Sequence, residues 1–308
     1  LITTSIPVGT YNWEITVNAA GVDRPYKLSD NNAVQMQFYS PRGVAVDNST
    51  ESPYFGRIYA SETLPGTVAT GTRTTKDGIY ILNAALQDIT GQGNESYAGN
   101  IVWGAASSPM RLAVAPDGKV FLTDWSNTHP GVWIMDPANP GGTFKPVFTS
   151  DTIMTPQGLT KNKTSGVNIH GSVSHCWVTG TGAGTKLFTF DQDYTDALAG
   201  NTGNLLQYNI GTLETSWNSA PSAVVYNDFA NGNLQQNFNS CIAPDGRGGW
   251  WISQFRDTDA AGIPSLIHVN TSGNVDFNSG KTPLLIGNSY TGGMAVNYES
   301  DLLAMGCK

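Results

Sequence analysis

Short apolar bursts come in pairs along this chain, each pair joined by a polar turn: PRGVAVDNSTESPYFGRIYASE (41–62), MRLAVAPDGKVFLTDWS (110–126), NSCIAPDGRGGWWISQF (239–255) and GGMAVNYESDLLAMG (292–306). Within a burst, apolar positions alternate with small or polar ones, the period of a strand whose two faces are filled differently. In the second and third pairs the turn is Pro-Asp-Gly, at 116–118 and 244–246. Pro presets the first φ of such a turn and Asp-Gly supplies the positive φ that a tight hairpin needs. A weaker copy begins at PQGLTKNKTSGVNIHGSVSHCWVTG (156–180). Third-strand segments of similar wording follow at 77–84, 131–138, 185–192 and 264–271, and fourth strands are predicted at 100–104, 144–148, 205–211 and 283–287. The fifth unit stops after its second strand, at DLLAMGCK.

Four antiparallel strands per unit, repeated without any helical period, predict an all-β fold: a β-propeller of four-stranded antiparallel blades, with five repeats visible and the last incomplete. The propeller is expected over 29–308. Residues 1–28 are expected to hold N-terminal strands, where LITTSIPVGTYNWEITVNAA either closes the last blade or ends an Ig-like module. That module would resemble the flagellar hook-capping type. Either these strands complete the half blade, or the chain belongs to a longer protein with further blades. An open sheet edge would otherwise invite pairing with another chain.

The wording P-x-G-V-A-V-D, G-R-I-Y-A-S-E and G-I-Y-I-L-N, over roughly 40 to 306, resembles the NHL-type and related six- or seven-bladed propellers. The stretch is also similar to uncharacterised secreted or cell-surface propeller proteins of Bacteroidetes-type bacteria. The resemblance implies a rigid platform and assigns no reaction, since such propellers serve in adhesion, scaffolding and ligand binding and, in a few cases, as hydrolases or lyases.

Composition narrows this further. Charged residues make up 13% of the 308, against roughly 25% in average soluble proteins, and the formal net charge is −8 with no Lys/Arg cluster. Nucleic acid and anionic membrane surfaces are therefore poor partners. No apolar run approaches the ~18 residues of a membrane span. Low charge with many aromatic, Asn and Thr residues suits a secreted or cell-surface protein. The three cysteines, Cys176, Cys241 and Cys307, stand far apart without metal-ligand spacing and are expected as buried free thiols.

Propellers carry variable chemistry on the loops at one face. Trp125, His129, Phe255, Arg256 and Asp257 fall on such loops and are the ligand-binding candidates: an exposed aromatic ring beside polar groups can stack on the C–H face of a sugar. Asn48, Asn94, Asn162 and Asn270 head Asn-x-Ser/Thr triplets, and Thr152, in Asp-Thr-Ile, resembles a short O-glycosylation sequence; these are the glycosylation candidates. Trp133, Trp250 and Trp251 are expected between blades, His170, His175 and His268 in structural roles, and Asp191, Asp193 and Asp196 in a solvated turn.

No catalytic residue, cofactor or metal is expected. The reading is an extracellular or cell-surface structural or binding propeller, a scaffold, adhesin or filament subunit, whose partners are other copies of itself or a surface glycan. The alternative is a propeller-type hydrolase or lyase acting on glycans or lactones, with a channel metal held by carboxylates. It ranks second because the corresponding second-strand ends, taken as Glu62, Asp124, Gly180 and Phe255, form no matching acidic set.

Overall fold

The computed structural model describes residues 15–19, 22–26, 38–68, 73–84, 86, 88–89, 111–124, 131–142, 144–147, 173–191, 204–212, 221–227, 240–254, 266–279, 294–297 and 302–305. Among them are twenty-one strands and one short 3-10 turn. A hairpin, β1 (Ile15–Ala19) and β2 (Val22–Tyr26), comes first and pairs only with itself among the described strands. Five antiparallel sheets follow in chain order. Blade 1 is β3 (Pro41–Val46), β4 (Ile58–Glu62) and β7 (Gly78–Leu82), with a small hairpin of β5 (Gly66–Thr67) and β6 (Thr74–Thr75) set between the last two. Blade 2 is β8 (Leu112–Val114), β9 (Val120–Asp124), β10 (Gly131–Met135) and β11 (Lys145–Pro146). Blade 3 is β12 (Val173–Thr179), β13 (Lys186–Asp191), β14 (Asn204–Asn209) and β15 (Ala223–Asn227). Blade 4 is β16 (Ser240–Pro244), β17 (Trp250–Gln254), β18 (Leu266–Val269) and β19 (Val275–Asn278), and blade 5 is the hairpin β20 (Met294–Asn297) and β21 (Leu302–Met305).

The first strands lie side by side in order: β3 against β8, β8 against β12, β12 against β16 and β16 against β20. That arrangement puts one strand of each sheet innermost and makes the sheets the blades of a propeller.

Cross-strand rows explain the fit. Ala45–Tyr59–Ile81 and Ala113–Phe121–Ile134 run from the inner strand outwards across blades 1 and 2. A small residue sits near the axis, where blades converge, and a larger one beyond it, which suits a wedge-shaped gap. These leading faces pack on the trailing face of the next blade. Tyr59, Ile79 and Ile81 meet Leu112, Val120, Leu122, Trp133 and Met135. Phe121, Val132 and Ile134 meet Val173, Cys176 and Leu187. Phe188, Phe190 and Leu205 meet Ile242, Trp250, Ile252 and Ile267.

Two strand assignments need correction. In blade 3 the segments expected third and fourth are second and third, and β15 is the fourth strand. In blade 4 the fourth strand is β19, whereas 283–287 lies outside the described residues. Asp191 is not in a solvated turn: it ends β13 and is fully buried. Trp133 and Trp250 are buried between blades as expected, while Trp251 is only half-buried. Cys176 and Cys241 are free and buried.

Candidate functional site

The inner strands begin at one end of the axis, and their first residues bring five blades together. Arg111, just ahead of β8, donates its backbone N–H to the Thr123 hydroxyl at 3.1 Å and accepts from the Thr123 N–H at 2.9 Å, which fixes it to its own blade. Its Nη1 reaches back to the Arg42 carbonyl of blade 1. On the other side stand His175 of blade 3 and Cys241 of blade 4, with Sγ 3.6 Å from Nδ1. Nδ1 accepts the Ile242 N–H at 2.9 Å, tying blade 3 to blade 4 and making Nδ1 the unprotonated nitrogen. Backbone groups of Met294, in blade 5, reach the Cys241 thiol.

Electrostatics follow from burial. His175 is held down to about pKa 3, first by desolvation and then by the Arg111 charge, so the ring is neutral throughout the physiological range. Burial pushes the Cys241 thiol up, against the pull of Arg111 and of backbone hydrogen bonds, and pushes Cys176 up as well. Burial lowers the affinity of Arg111 for its proton and Arg42 adds to that, but a guanidinium stays charged in proteins. A protonated thiol beside a neutral imidazole whose accepting nitrogen is already engaged is not an activated nucleophile.

The second strands end at the same axial end. Their final residues are Glu62, Asp124, Asp191 and Gln254, so the set taken from the sequence was misaligned in blades 3 and 4. The three carboxylates are fully buried. Glu62 accepts from the Tyr39 N–H at 2.9 Å, from the Ser40 N–H and from the Thr75 hydroxyl at 3.2 Å, anchoring the segment that leads into β3. Its burial raises its pKa, opposed by those hydrogen bonds and by Arg73. Among the described residues no three His, Cys, Asp or Glu are grouped so as to hold a metal ion.

Trp125, His129, Phe255, Arg256 and Asp257 lie outside the described residues, as do Asn94, Asn162 and Thr152. Asn48 is exposed beside Asp47 at the end of β3. Asn270 is half-buried in the β18–β19 turn, where its Oδ1 accepts from the N–H groups of Ser272 and Asn274 at 3.0 and 3.1 Å. The axial group of Arg111, His175 and Cys241 was missed from sequence. One signal was present: Arg42 and Arg111 open the matching phrases PRGVAV and MRLAV.

A second polar group sits between blades 4 and 5. His268 bonds Asp276 through Nδ1 at 2.6 Å and Asp245 through Nε2 at 3.1 Å, with its ring 4.5 Å from that of Trp251. Asp245, Trp251 and His268 line a cavity of about 230 Å³ with Arg247, Val296 and Leu303. Asp245 also accepts the Arg247 and Gly249 N–H groups at 2.7 and 2.8 Å. Burial would raise its pKa, yet those bonds and His268 prevail and hold it below the usual carboxylate range.

The class of protein is therefore an all-β propeller of sequential antiparallel blades. No family model matches the chain, and no curated protein matches it. Several solved structures are similar in outline. The extracellular domain of a one-component system from B. thetaiotaomicron is 10% identical over 87% of this chain and 26% of that one, with a TM-score of 0.41. The chain thus spans about a quarter of that protein's length. Virginiamycin B lyase from Staphylococcus aureus is 13% identical over 88% and 64%, TM-score 0.37. A calcium-binding protein, regucalcin, from Agrobacterium tumefaciens is 11% identical over 88% and 68%, TM-score 0.40. Every one of these scores is below 0.5, so the likenesses bear on no activity, and it is the order of this chain's own sheets that defines the fold. Among the described residues no helix is long and apolar enough to cross a membrane.

Proposed function

We propose that this chain is a binding and assembly propeller of the cell exterior, a scaffold, adhesin or filament subunit, and not a catalyst. The observation that carries the reading is the exposed inner strand of blade 1. Val44 and Val46 are 68% and 50% exposed, whereas Leu112 and Ile242, at the position of Val44 in blades 2 and 4, are 3% and 0% exposed beneath the preceding blade. The inner strand of blade 1 is therefore open where those of its neighbours are covered, while Ala60, Tyr80 and Leu82 farther out on the same face are 6%, 0% and 2% exposed. The complement is an apolar blade face of the kind that covers Leu112 and Ile242 within the chain. A second copy of the chain supplies that chemistry, and burying two valines contributes about 2–4 kcal/mol per contact before association costs are met.

The low charge and the abundance of Asn and Thr support an exterior location, and a surface glycan on the loop face remains the proposed non-self ligand, through Trp125, His129, Phe255, Arg256 and Asp257. The locked forms of His175 and Cys241 support recognition over nucleophilic chemistry. The test is light scattering of the full chain across a range of concentrations, with and without V44D combined with V46D. Concentration-dependent assembly that the double variant abolishes, with an unchanged circular dichroism spectrum, is the expected result. A wild-type chain that stays monomeric throughout overturns the assembly reading.

A further inference from the structure

Among the described residues, Arg111 at the axial end has no carboxylate partner. Arg111 makes one side-chain hydrogen bond, from Nη1 to the Arg42 carbonyl; its Nε is buried with no partner. Among the described residues neither Arg111 nor Arg42 pairs with a carboxylate, in a chain whose net charge is −8. Every other charge near Arg111 has been removed or is alike. His175 is neutral, Cys241 keeps its proton, and Arg42 carries the same sign. Arg111 is half-buried with its Nε enclosed, and a partly desolvated guanidinium without a counter-charge is unfavourable, because desolvation is not repaid.

We propose that Arg111 is the anchor of an oxyanion site at the axial end of the propeller, taking a ligand that carries a single carboxylate or phosphoryl group. With Nη1 engaged on Arg42, the Nε–Nη2 edge is the one left for the ligand, and that edge matches two oxygens of a planar or tetrahedral anion. The backbone bonds to Thr123 hold the residue in place, so the fork is oriented before the ligand arrives. Because inner strands of blades 1, 3 and 4 surround it, the site is read by the axial face as a whole. This inference goes beyond the assembly reading and does not depend on it: V44D combined with V46D leaves the site intact.

The experiment is isothermal titration of the full chain with inorganic phosphate and, separately, with acetate, at ionic strength held constant with sodium chloride. Saturable binding of either anion is expected, and which one binds tells the phosphoryl from the carboxylate source. Arg111→Met is expected to abolish it, and Arg111→Lys to weaken it by about tenfold or more, since an ammonium cannot make the bidentate contact. A second measurement needs no variant: phenylglyoxal labelling of wild-type Arg111, followed by mass spectrometry, is expected to slow when the bound anion is present. Absence of saturable binding and of protection, or binding by Arg111→Met equal to wild type, overturns the proposal. So does a carboxylate of the chain itself found on Arg111 in a crystal structure.

Discussion

Replacing His175 with Asn separates the titration of a buried imidazole from its hydrogen bond. Asn Oδ1 lies near the place of Nδ1, so the Ile242 N–H keeps an acceptor, while the titrating group is gone. The native pKa is about 3 and the ordinary value 6.5. Between those values the unfolded chain binds a proton that the native chain refuses, so wild-type stability from this group is complete above 6.5 and falls as the pH drops towards 3. The slope is about 1.4 kcal/mol per pH unit, so at roughly pH 4.5 the loss is of order 2–3 kcal/mol. The variant gives up ring bulk at a site only 6% exposed, which costs about 1–2 kcal/mol at any pH. His175→Asn is therefore less stable than wild type at about pH 7.5 and level with it or more stable at about 4.5, by a net change of order 2–3 kcal/mol. Urea unfolding midpoints of both proteins at several pH values give the comparison, and the difference between the two cancels the acid sensitivity of groups such as Asp245, whose depressed pKa makes it lose stability only lower down. A gap between variant and wild type that stays constant from neutral to acid pH would show that His175 is not desolvated between blades 3 and 4.

Leu122→Ala removes a fully buried side chain from the contact of blades 1 and 2 and is expected to cost about 2–5 kcal/mol in denaturant unfolding. Gly118→Ala puts a Cβ 2.5 Å from Ser52 Oγ and 2.9 Å from the Tyr54 ring, at φ +88, and is expected to lose roughly 2–3 kcal/mol, which a thermal melt detects. Asp88→Ala leaves Arg73, 6% exposed and stacked on Phe38 and Tyr80, without its partner at 3.1 Å; a loss of about 2–3 kcal/mol is expected, and Asp88→Ala combined with Arg73→Met should recover part of it.

The inner halves of blades 2 and 4 were legible in the sequence because period-two alternation coincides there with the Pro-Asp-Gly turn, while those of blades 1 and 5 were legible from the alternation of apolar positions. Gly118 and Gly246 do adopt φ values of +88 and +78. Blade 3 lacks the Pro-Asp-Gly turn. Its first hairpin passes instead through Gly180, at φ +74, and a short 3-10 turn at Gly182–Gly184, so its strands were numbered one too late. The outer strand β19 is mostly exposed, and a short exposed strand needs no apolar burst, whereas β15 carries the apolar run Ala223–Tyr226 and fell outside a count that had already reached four strands. Apolar periodicity finds buried strands and passes over edges. The axial site eluded the sequence for a different reason. Arg111, His175 and Cys241 lie some 65 residues apart in succession, and only the register of three sheets brings them together.

Where the repeat departs from itself is more informative than where it holds. The third position of the leading row is Ile81 in blade 1 and Ile134 in blade 2, but His268 in blade 4, opposite Trp251 in the register Ala243–Trp251–His268. An isoleucine there packs on the next blade through dispersion alone, whatever the pH. A histidine bracketed by Asp245 and Asp276 instead makes directional bonds within its own blade and leaves a polar-lined gap of about 230 Å³ towards Val296 and Leu303. Apolar stacking is non-directional and seals any matching face, whereas a polar seam holds only while its partners are satisfied. The contact of blades 4 and 5 is therefore more polar than the other seams, while Val44 and Val46 on the inner strand of blade 1 stand exposed. Both departures leave the three apolar seams between blades 1 and 4 undisturbed.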